Sequence, residues 1–180
     1  MSPQESAAAP EVAVAEDPIK VQNARVLALL HRFTDVEEQY GLLSVTTTRE
    51  HIHGVIAGLQ QDQEIKLNFL TTMCGINYPE NEGKELGMIY HLHSLTQNIR
   101  LRLKTFFPVA DPVVPTLTDL YNSANWMERE AYDFYGVIFT GHPNLIRILN
   151  VEDMDYHPMR KQYPLEDGTR EDKTDLFFGR

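Results

Sequence analysis

The feature that most constrains the fold is an alternation of apolar and basic side chains within residues 98–106. The apolar members are Ile99, Leu101 and Leu103, and the basic members are Arg100, Arg102 and Lys104. Successive side chains of a strand point to opposite faces of its sheet. The segment therefore predicts a half-buried strand with one face in the core and a basic outer face.

Other strand-like runs occupy residues 42–47, 64–76 and 85–95, and turn residues at 77–83 separate the last two. Between the first two runs, Thr47 and Glu50 have the spacing of a capping box, which predicts the start of a helix. Its expected apolar face consists of Ile52, Val55, Ile56 and Leu59. This order predicts an α+β fold: a mostly antiparallel sheet with helices packed on it, followed by an extended C-terminal arm.

Composition shifts divide the chain into four parts. Residues 1–17 are rich in Ala, Pro and Glu and predict a disordered acidic tail. An α+β domain is expected over 18–115, opening with a helix capped by Asp17, and three prolines at 108–115 mark its end. A signature helix region follows over 116–140. Its helix is predicted to start at Thr116 or Thr118, to break near 122–125 and to end at Gly136.

The last part, 141–180, is an arm without helix or strand periodicity that carries at least ten large apolar side chains. Such a segment is poorly suited to be a solvated loop. Either the arm wraps the chain's own sheet or it lies along a neighbouring protein, and the pattern alone favours neither.

Charge and cysteine content exclude several classes of function. Acidic residues outnumber basic ones by 26 to 16, which argues against nucleic acid as a partner. The single cysteine, Cys74, cannot form an internal disulfide or ligate an iron–sulfur cluster alone, and we expect a buried, inert thiol. No glycine-rich phosphate loop is present. The pairs His51/His53 and His91/His93 lack a nearby third ligand, so no metal site is predicted.

One polar cluster stands out, and it contains Glu128, Arg129, Glu130 and Asp133. Arg129 and Asp133 are four residues apart on the predicted helix and could form an ion pair. Paired carboxylates could also perform acid–base chemistry, but a structural ion-pair cluster is the favoured interpretation. His142 follows in a turn, where a hydrogen bond to the backbone is expected more than proton donation.

Four blocks of sequence in the last third resemble the C subunit of proton-pumping NADH–quinone oxidoreductase, respiratory complex I. The blocks are Glu128-Arg129-Glu130 with Asp133 and Phe134-Tyr135-Gly136; Phe139 with Gly141-His142-Pro143; Leu145-Ile146-Arg147-Ile148-Leu149; and Pro158-Met159-Arg160-Lys161-Gln162-Tyr163-Pro164. Ile146 and Gln162 depart from the family pattern, where a basic and an acidic residue are usual. Before residue 115 the resemblance is limited to length and pattern.

The resemblance implies an accessory structural subunit in the peripheral arm of the complex, on the cytoplasmic face of the bacterial inner membrane. It implies no cofactor bound by this chain, because iron–sulfur clusters, flavin and quinone belong to the other subunits. The expected partners are chiefly the D subunit and the B and I iron–sulfur subunits, with membrane contact only through the complex. The residues expected to dock partners are Glu128, Arg129, Glu130, Asp133, His142, Arg147, Arg160 and Lys161.

Two alternatives remain open at this point. The chain could be the equivalent subunit of a related complex, such as a membrane-bound hydrogenase or a ferredoxin-dependent enzyme. It could also be a stand-alone acid–base hydrolase that uses Glu128, Glu130 and His142.

Overall fold

The computed structural model of the chain describes residues 26–27 and 36–163. The predicted acidic tail at 1–17, most of the first helix, and the end of the arm at 164–180 lie outside the described residues. Val26 belongs to a helical turn and is buried in the core.

Five strands form the main sheet, in the spatial order β1-β2-β5-β4-β3. Their bounds are β1 Val36–Gln39, β2 Leu42–Thr46, β3 Phe69–Asn77, β4 Leu86–Ser94 and β5 Ile99–Phe107, and helix α1, Arg49–Gln61, lies between β2 and β3 in the chain. All neighbouring strands are antiparallel except β2 and β5, which are parallel. The predicted α+β class with a mostly antiparallel sheet is confirmed.

The register places two chemically different faces on this sheet. Leu101 and Leu103 of β5 are buried and pair with Leu92 and Tyr90 of β4, which belong to the same hydrophobic core. Helix α1 supplies Ile52, Ile56 and Leu59 to that core. The alternate residues of β5 lie on the opposite face, so the predicted basic outer face is confirmed.

The hairpin that joins β1 to β2 was not predicted. Its two turn residues, Tyr40 and Gly41, both have positive φ, 55° and 73°. Two-residue hairpin turns of type I′ require this combination, but their usual sequence is Asn-Gly or Asp-Gly. Because β1 itself is mostly exposed and acidic, the sequence showed only a polar stretch that ended at Gly41.

Two predicted element starts are wrong for local reasons. The strand expected from residue 64 begins at Phe69, because Lys66 adopts a positive φ of 47° and Asp62 Oδ1 accepts the backbone N–H groups of Glu64 and Ile65 at 2.8 and 2.9 Å. Helix α1 has Thr48 rather than Thr47 at its N-cap. The backbone N–H of Thr47 instead donates to the Lys104 carbonyl, which continues the pairing of β2 with β5.

The last third of the described chain forms a small unit against the main sheet. Two short parallel strands, β6 at Val113–Pro115 and β7 at Ile138–Thr140, flank helix α2 at Ala124–Tyr135. The helix therefore starts after Thr116 and Thr118, not at them. Gly136 ends it with a φ of 74°, as predicted. Within 26–27 and 36–163, no helix has the length and apolar character needed to cross a membrane.

Candidate partner-docking site

The centre of the candidate site is the Asp133 carboxylate on α2, which is fully buried. Its Oδ2 accepts the backbone N–H groups of Ile148, Leu149 and Asn150 at 3.1, 2.8 and 2.9 Å. Its Oδ1 accepts Arg147 Nη1 at 2.7 Å and the Asn150 side-chain amide at 3.0 Å. Burial alone would raise the pKa of Asp133, but these hydrogen bonds outweigh it and hold the pKa well below its usual range.

Arg147 ties this carboxylate to two further parts of the arm. Its side chain is 8% exposed. Besides Asp133 Oδ1, its guanidinium donates to the backbone carbonyls of Asp133, Met154 and Tyr156 at 3.0, 2.6 and 3.0 Å. The planar Arg147 guanidinium thus holds α2 against the arm at Met154 and Tyr156. We call Asp133, Arg147 and Asn150 the Asp133 cluster.

The predicted ion pair between Arg129 and Asp133 is wrong. Arg129 donates instead to the backbone carbonyls of Ile146 and Arg147, at 3.2 and 3.1 Å. Asp133 lies on the helix face that the arm covers, where Arg147 and three backbone N–H groups already occupy its oxygens. An exposed pair at helical spacing contributes little stability, so it does not compete with this buried arrangement.

The arm also satisfies the C-terminal end of α2. The last carbonyls of a helix have no partner within it. Here the Asp133 carbonyl accepts His157 Nδ1 at 3.0 Å, the Phe134 carbonyl accepts the Met159 N–H at 3.2 Å, and the Tyr135 carbonyl accepts Arg160 Nε at 2.8 Å. The arm is therefore built into the fold at the exit of α2.

A further contact joins the arm to the sheet. The Lys161 N–H donates to Asn77 Oδ1 at 2.9 Å, and the Lys161 ammonium lies 5.5 Å from the centre of the Tyr78 ring. Over residues 141–163 the arm thus lies on the chain's own body, the first of the two arrangements that the sequence left open.

The arm turns Arg147, Asn150 and His157 toward α2 and leaves several large apolar side chains exposed. Leu149 and Val151 are both 63% exposed. The other exposed large apolar side chains of this stretch are Ile146, Ile148, Tyr156 and Met159. Exposed apolar side chains at this density are typical of a surface that meets another protein.

Glu128 is not at this surface. It is fully buried and accepts the Thr116 hydroxyl at 2.6 Å and the Leu117 N–H at 2.7 Å. Burial raises the pKa of Glu128 to about 7, although the two hydrogen bonds act in the opposite direction. Thr116 was expected to cap a helix, and nothing in the sequence pattern indicated that its hydroxyl would donate a hydrogen bond to Glu128.

The three residues of the hydrolase alternative do not form a free acid–base site. Glu130 is exposed, whereas both oxygens of Glu128 are engaged. His142 Nδ1 accepts the Asn144 N–H at 3.0 Å, so its Nε2 carries the proton and donates to the Asn125 carbonyl at 3.1 Å. This is the backbone-bonded turn histidine that the sequence favoured.

The remaining candidates are placed as follows. His53 Nε2 lies 2.9 Å from Asp119 Oδ2, and His51 Nδ1 lies 2.9 Å from Thr48 Oγ1. In the part of the chain that the structure describes, no three His, Cys, Asp or Glu side chains are grouped to hold a metal. Cys74 is exposed, so the expectation of a buried thiol is wrong: at this edge strand its neighbours Met73 and Gly75 take the inward positions.

Of the eight predicted docking residues, the structure brings five to the contact between the arm and the rest of the chain: Arg129, Asp133, Arg147, Arg160 and, through its backbone, Lys161. Glu130 is exposed on α2. Glu128 and His142 bond to residues 116–117, 125 and 144 instead. Asn150 and His157 were missed because a single Asn or His in an aperiodic segment carries no signal of its partner. Asn77 was missed because the end of strand β3 gives no sign of a contact with the arm. Contact with another protein stays a prediction for all eight.

Comparison with known proteins identifies relatives for most of the chain. Residues 45–169 match the family described as the 30 Kd subunit of respiratory-chain NADH dehydrogenase. The C subunit of NADH-quinone oxidoreductase from Nocardioides sp. is 42% identical over 69% of this chain and 50% of its own length. The corresponding C subunit from Citrifermentans bemidjiense is 39% identical over 83% of this chain and 93% of its own length. The chain spans about half the length of several curated relatives that it matches.

Solved structures share the fold. A trypsin-resistant fragment of Nqo5 (1–134) superposes with a TM-score of 0.60 at 32% identity, over 69% of this chain and 99% of the fragment. A chain of the archaeal membrane-bound sulfane sulfur reductase superposes with a TM-score of 0.66 at 20% identity, over 79% and 85%, and supports the fold alone. Since the family match covers well over half of the sequence, the chain belongs to the family of the respiratory-chain NADH dehydrogenase 30 Kd subunit.

Proposed function

We propose that this chain is a structural subunit of the peripheral arm of a proton-translocating NADH–quinone oxidoreductase, with no catalytic residue of its own. The observation that carries the proposal is the structure of the arm: residues 141–163 bond to α2 through the Asp133 cluster and expose six large apolar side chains. A segment held rigidly in this way presents a preformed apolar surface, which lowers the entropy lost when a partner binds.

The chemistry of the reaction belongs to other subunits in this proposal. Electrons would pass from NADH through flavin and iron–sulfur clusters to quinone, and those groups would be bound elsewhere in the complex. The single cysteine of the chain supports this division, because cysteine-ligated clusters usually need four thiolates.

The chain would hold neighbouring subunits in their relative positions. The partners proposed are the D subunit, against the exposed side of the arm, and the B and I iron–sulfur subunits. The site of assembly would be the cytoplasmic face of the bacterial inner membrane. What supports these assignments is the family membership together with the exposed apolar arm, and each requires a direct test.

The test is co-purification from the membranes of the cells that make this protein. A tagged chain should bring down the subunits named above, identified by mass spectrometry, together with NADH–quinone oxidoreductase activity. The double variant Leu149→Asp, Val151→Asp should lower the recovered partners at least tenfold while the variant itself stays folded. Tyr40→Asp is the matched control, because Tyr40 is 97% exposed at the β1–β2 turn and far from the arm in sequence.

The proposal would be overturned if the tagged chain came down without those subunits. It would also fail if the double variant recovered as much partner protein as Tyr40→Asp, since the arm would then not be the docking surface.

A further inference from the structure

The outer face of the main sheet carries a row of cations in a chain whose net charge is −10. Arg100, Arg102 and Lys104 of β5 lie on it, and the register sets His93 beside Arg100 and His91 beside Arg102. Neither these residues nor their outward neighbours belong to the hydrophobic core of the described chain. Among the described residues, the packing of the hydrophobic core therefore does not account for this face of the sheet.

Two of the three cations are already paired. Lys104 Nζ lies 3.3 Å from Glu37 Oε2 on β1. Arg102 Nε donates to His91 Nε2 at 3.1 Å, and its Nη1 donates to the Ser44 hydroxyl at 3.5 Å. Arg100 is different: it is exposed, and its side chain has no hydrogen bond or ion pair with any residue between 36 and 163.

The neighbouring histidines supply unused polar atoms. Because the Arg102 guanidinium only donates, His91 Nε2 must accept, and the proton of the neutral ring therefore lies on Nδ1. That Nδ1–H group is buried and has no hydrogen-bond partner among the described residues. His93 Nε2 is likewise buried and has no partner there. Buried polar groups usually have partners, so this Nδ1–H is a hydrogen-bond donor that no described residue uses.

A cavity of about 360 Å³ opens at this place. Its polar lining consists of Thr71, Thr72, His91, His93 and Arg100. Phe69, which pairs with His93 across the strands, is 42% exposed on the same face. A free anion would satisfy the donors but would leave Phe69 in water, whereas a polypeptide segment offers a carboxylate and apolar groups together.

We propose that this outer face is a second docking surface, which receives an acidic segment of a neighbouring subunit with an Asp or Glu carboxylate bound by Arg100 beside His91 and His93. The inference rests on the proposed function, because another subunit supplies the segment. It is separate from the arm, since the residues involved lie on β3, β4 and β5.

Charge complementarity selects this kind of partner. The unpaired guanidinium of Arg100 and the buried N–H of His91 both favour an oxyanion as ligand. A planar guanidinium can donate two parallel hydrogen bonds to one carboxylate. The rest of this acidic protein repels such a segment, so the basic face also directs where it binds.

Zero-length cross-linking tests the proposal on the assembled complex. Arg100→Lys keeps the charge and provides an amine, and carbodiimide then joins that amine to a carboxylate in direct contact, with loss of water. Lys104 and Glu37 are an internal control, because their 3.3 Å ion pair should cross-link in every sample. The expected result is a peptide that joins position 100 to an Asp or Glu of a different subunit.

A salt series gives an independent readout. Arg100→Glu should lower the NaCl concentration at which the complex dissociates, by about twofold. Lys84→Glu makes the same change of charge at an exposed turn, where the Lys84 side chain has no salt bridge among the described residues, and should leave that concentration unchanged.

Two outcomes would overturn the inference. One is that position 100 joins only carboxylates of this chain, or none, while Lys104 and Glu37 join normally. The other is that Arg100→Glu behaves as Lys84→Glu does. In both cases the wild-type chain would still co-purify with its partners, so a failure here is distinguishable from a failure of the proposed function.

Discussion

Arg147 Nη1 lies 2.7 Å from Asp133 Oδ1, and this ion pair joins the arm to α2 with both side chains almost completely buried. Removing one member of a buried pair leaves an uncompensated charge, which costs about 3–5 kcal/mol. We therefore expect Arg147→Ala to lower the free energy of unfolding by that amount, measured by urea denaturation of the full chain.

Arg129→Ala is the matched comparison. Arg129 donates only to two backbone carbonyls and is partly exposed. Its loss should cost about 1 kcal/mol, as for an ordinary hydrogen bond. Equal effects of the two variants would contradict the assignment of Arg147, rather than Arg129, as the partner of Asp133.

Gly136 couples the end of α2 to the arm through space as well as through hydrogen bonds. A Cβ there would lie 2.5 Å from His157 Nε2 and 2.6 Å from Arg160 Nη2, in addition to the strain of a φ of 74°. We expect Gly136→Ala to lower the free energy of unfolding by about 2–3 kcal/mol. It should also speed trypsin cleavage after Arg160, because the His157 ring and the Arg160 guanidinium must shift and their hydrogen bonds to the end of α2 are weakened.

Gly83→Ala separates the two contributions. Gly83 has nearly the same φ, 77°, but open space around its Cβ position. Gly83→Ala should lower the free energy of unfolding only by the strain of the left-handed conformation, about 1 kcal/mol. It should leave the rate of trypsin cleavage in the arm unchanged. If both variants lowered the free energy of unfolding equally, the contact between Gly136 and the arm would contribute nothing to stability.

The buried Glu128 carboxyl makes the stability depend on pH. Burial raises its pKa from 4.5 to about 7 in the folded chain, so the folded state holds a proton over this interval that the unfolded state has lost. The stabilisation is fully present below pH 4.5 and is lost as the pH rises through 7. Linkage gives a loss of roughly 3 kcal/mol across the interval.

Glu128→Gln removes this titration and keeps an oxygen that can accept the Leu117 N–H. Unfolding curves at pH 5 and pH 8 should differ less for the variant than for the wild type, by up to that same amount. Since all other titrating groups are shared, the difference isolates Glu128. Parallel pH profiles would show that the carboxylate is already charged when buried.

The elements with a clear local period were predictable from the sequence. Alternation over 98–106 indicated both the strand β5 and the chemistry of its two faces, and the spacing of Ile52, Ile56 and Leu59 indicated the buried side of α1. Gly136 was correctly placed as the end of α2 because a residue in the left-handed conformation completes that helix end.

Long-range pairings were not predictable, because no local pattern encodes them. Asp133 was matched to Arg129 by helical spacing, whereas its partner Arg147 lies in an aperiodic segment 14 residues further on. The parallel pairing of β2 with β5 joins Leu43 to Leu101, far apart in the chain, in the same way. Residues 141–163 bond to α2 and also expose apolar side chains, so their contact with the chain's own body leaves contact with a neighbouring protein as a prediction.

The turn that the sequence failed to reveal offers a last test. Tyr40 holds a φ of 55° in the β1–β2 hairpin, a conformation that costs most residues about 1 kcal/mol and that Asn tolerates far better. Its side chain is 97% exposed, so little packing is lost on replacement. Tyr40→Asn, which creates the favoured Asn-Gly turn with Gly41, should raise the free energy of unfolding by about 0.5–1 kcal/mol. Tyr40→Ala removes the same side chain without relieving the backbone and should not stabilise the chain. An equal gain from both variants would place the effect in the exposed ring rather than in the turn.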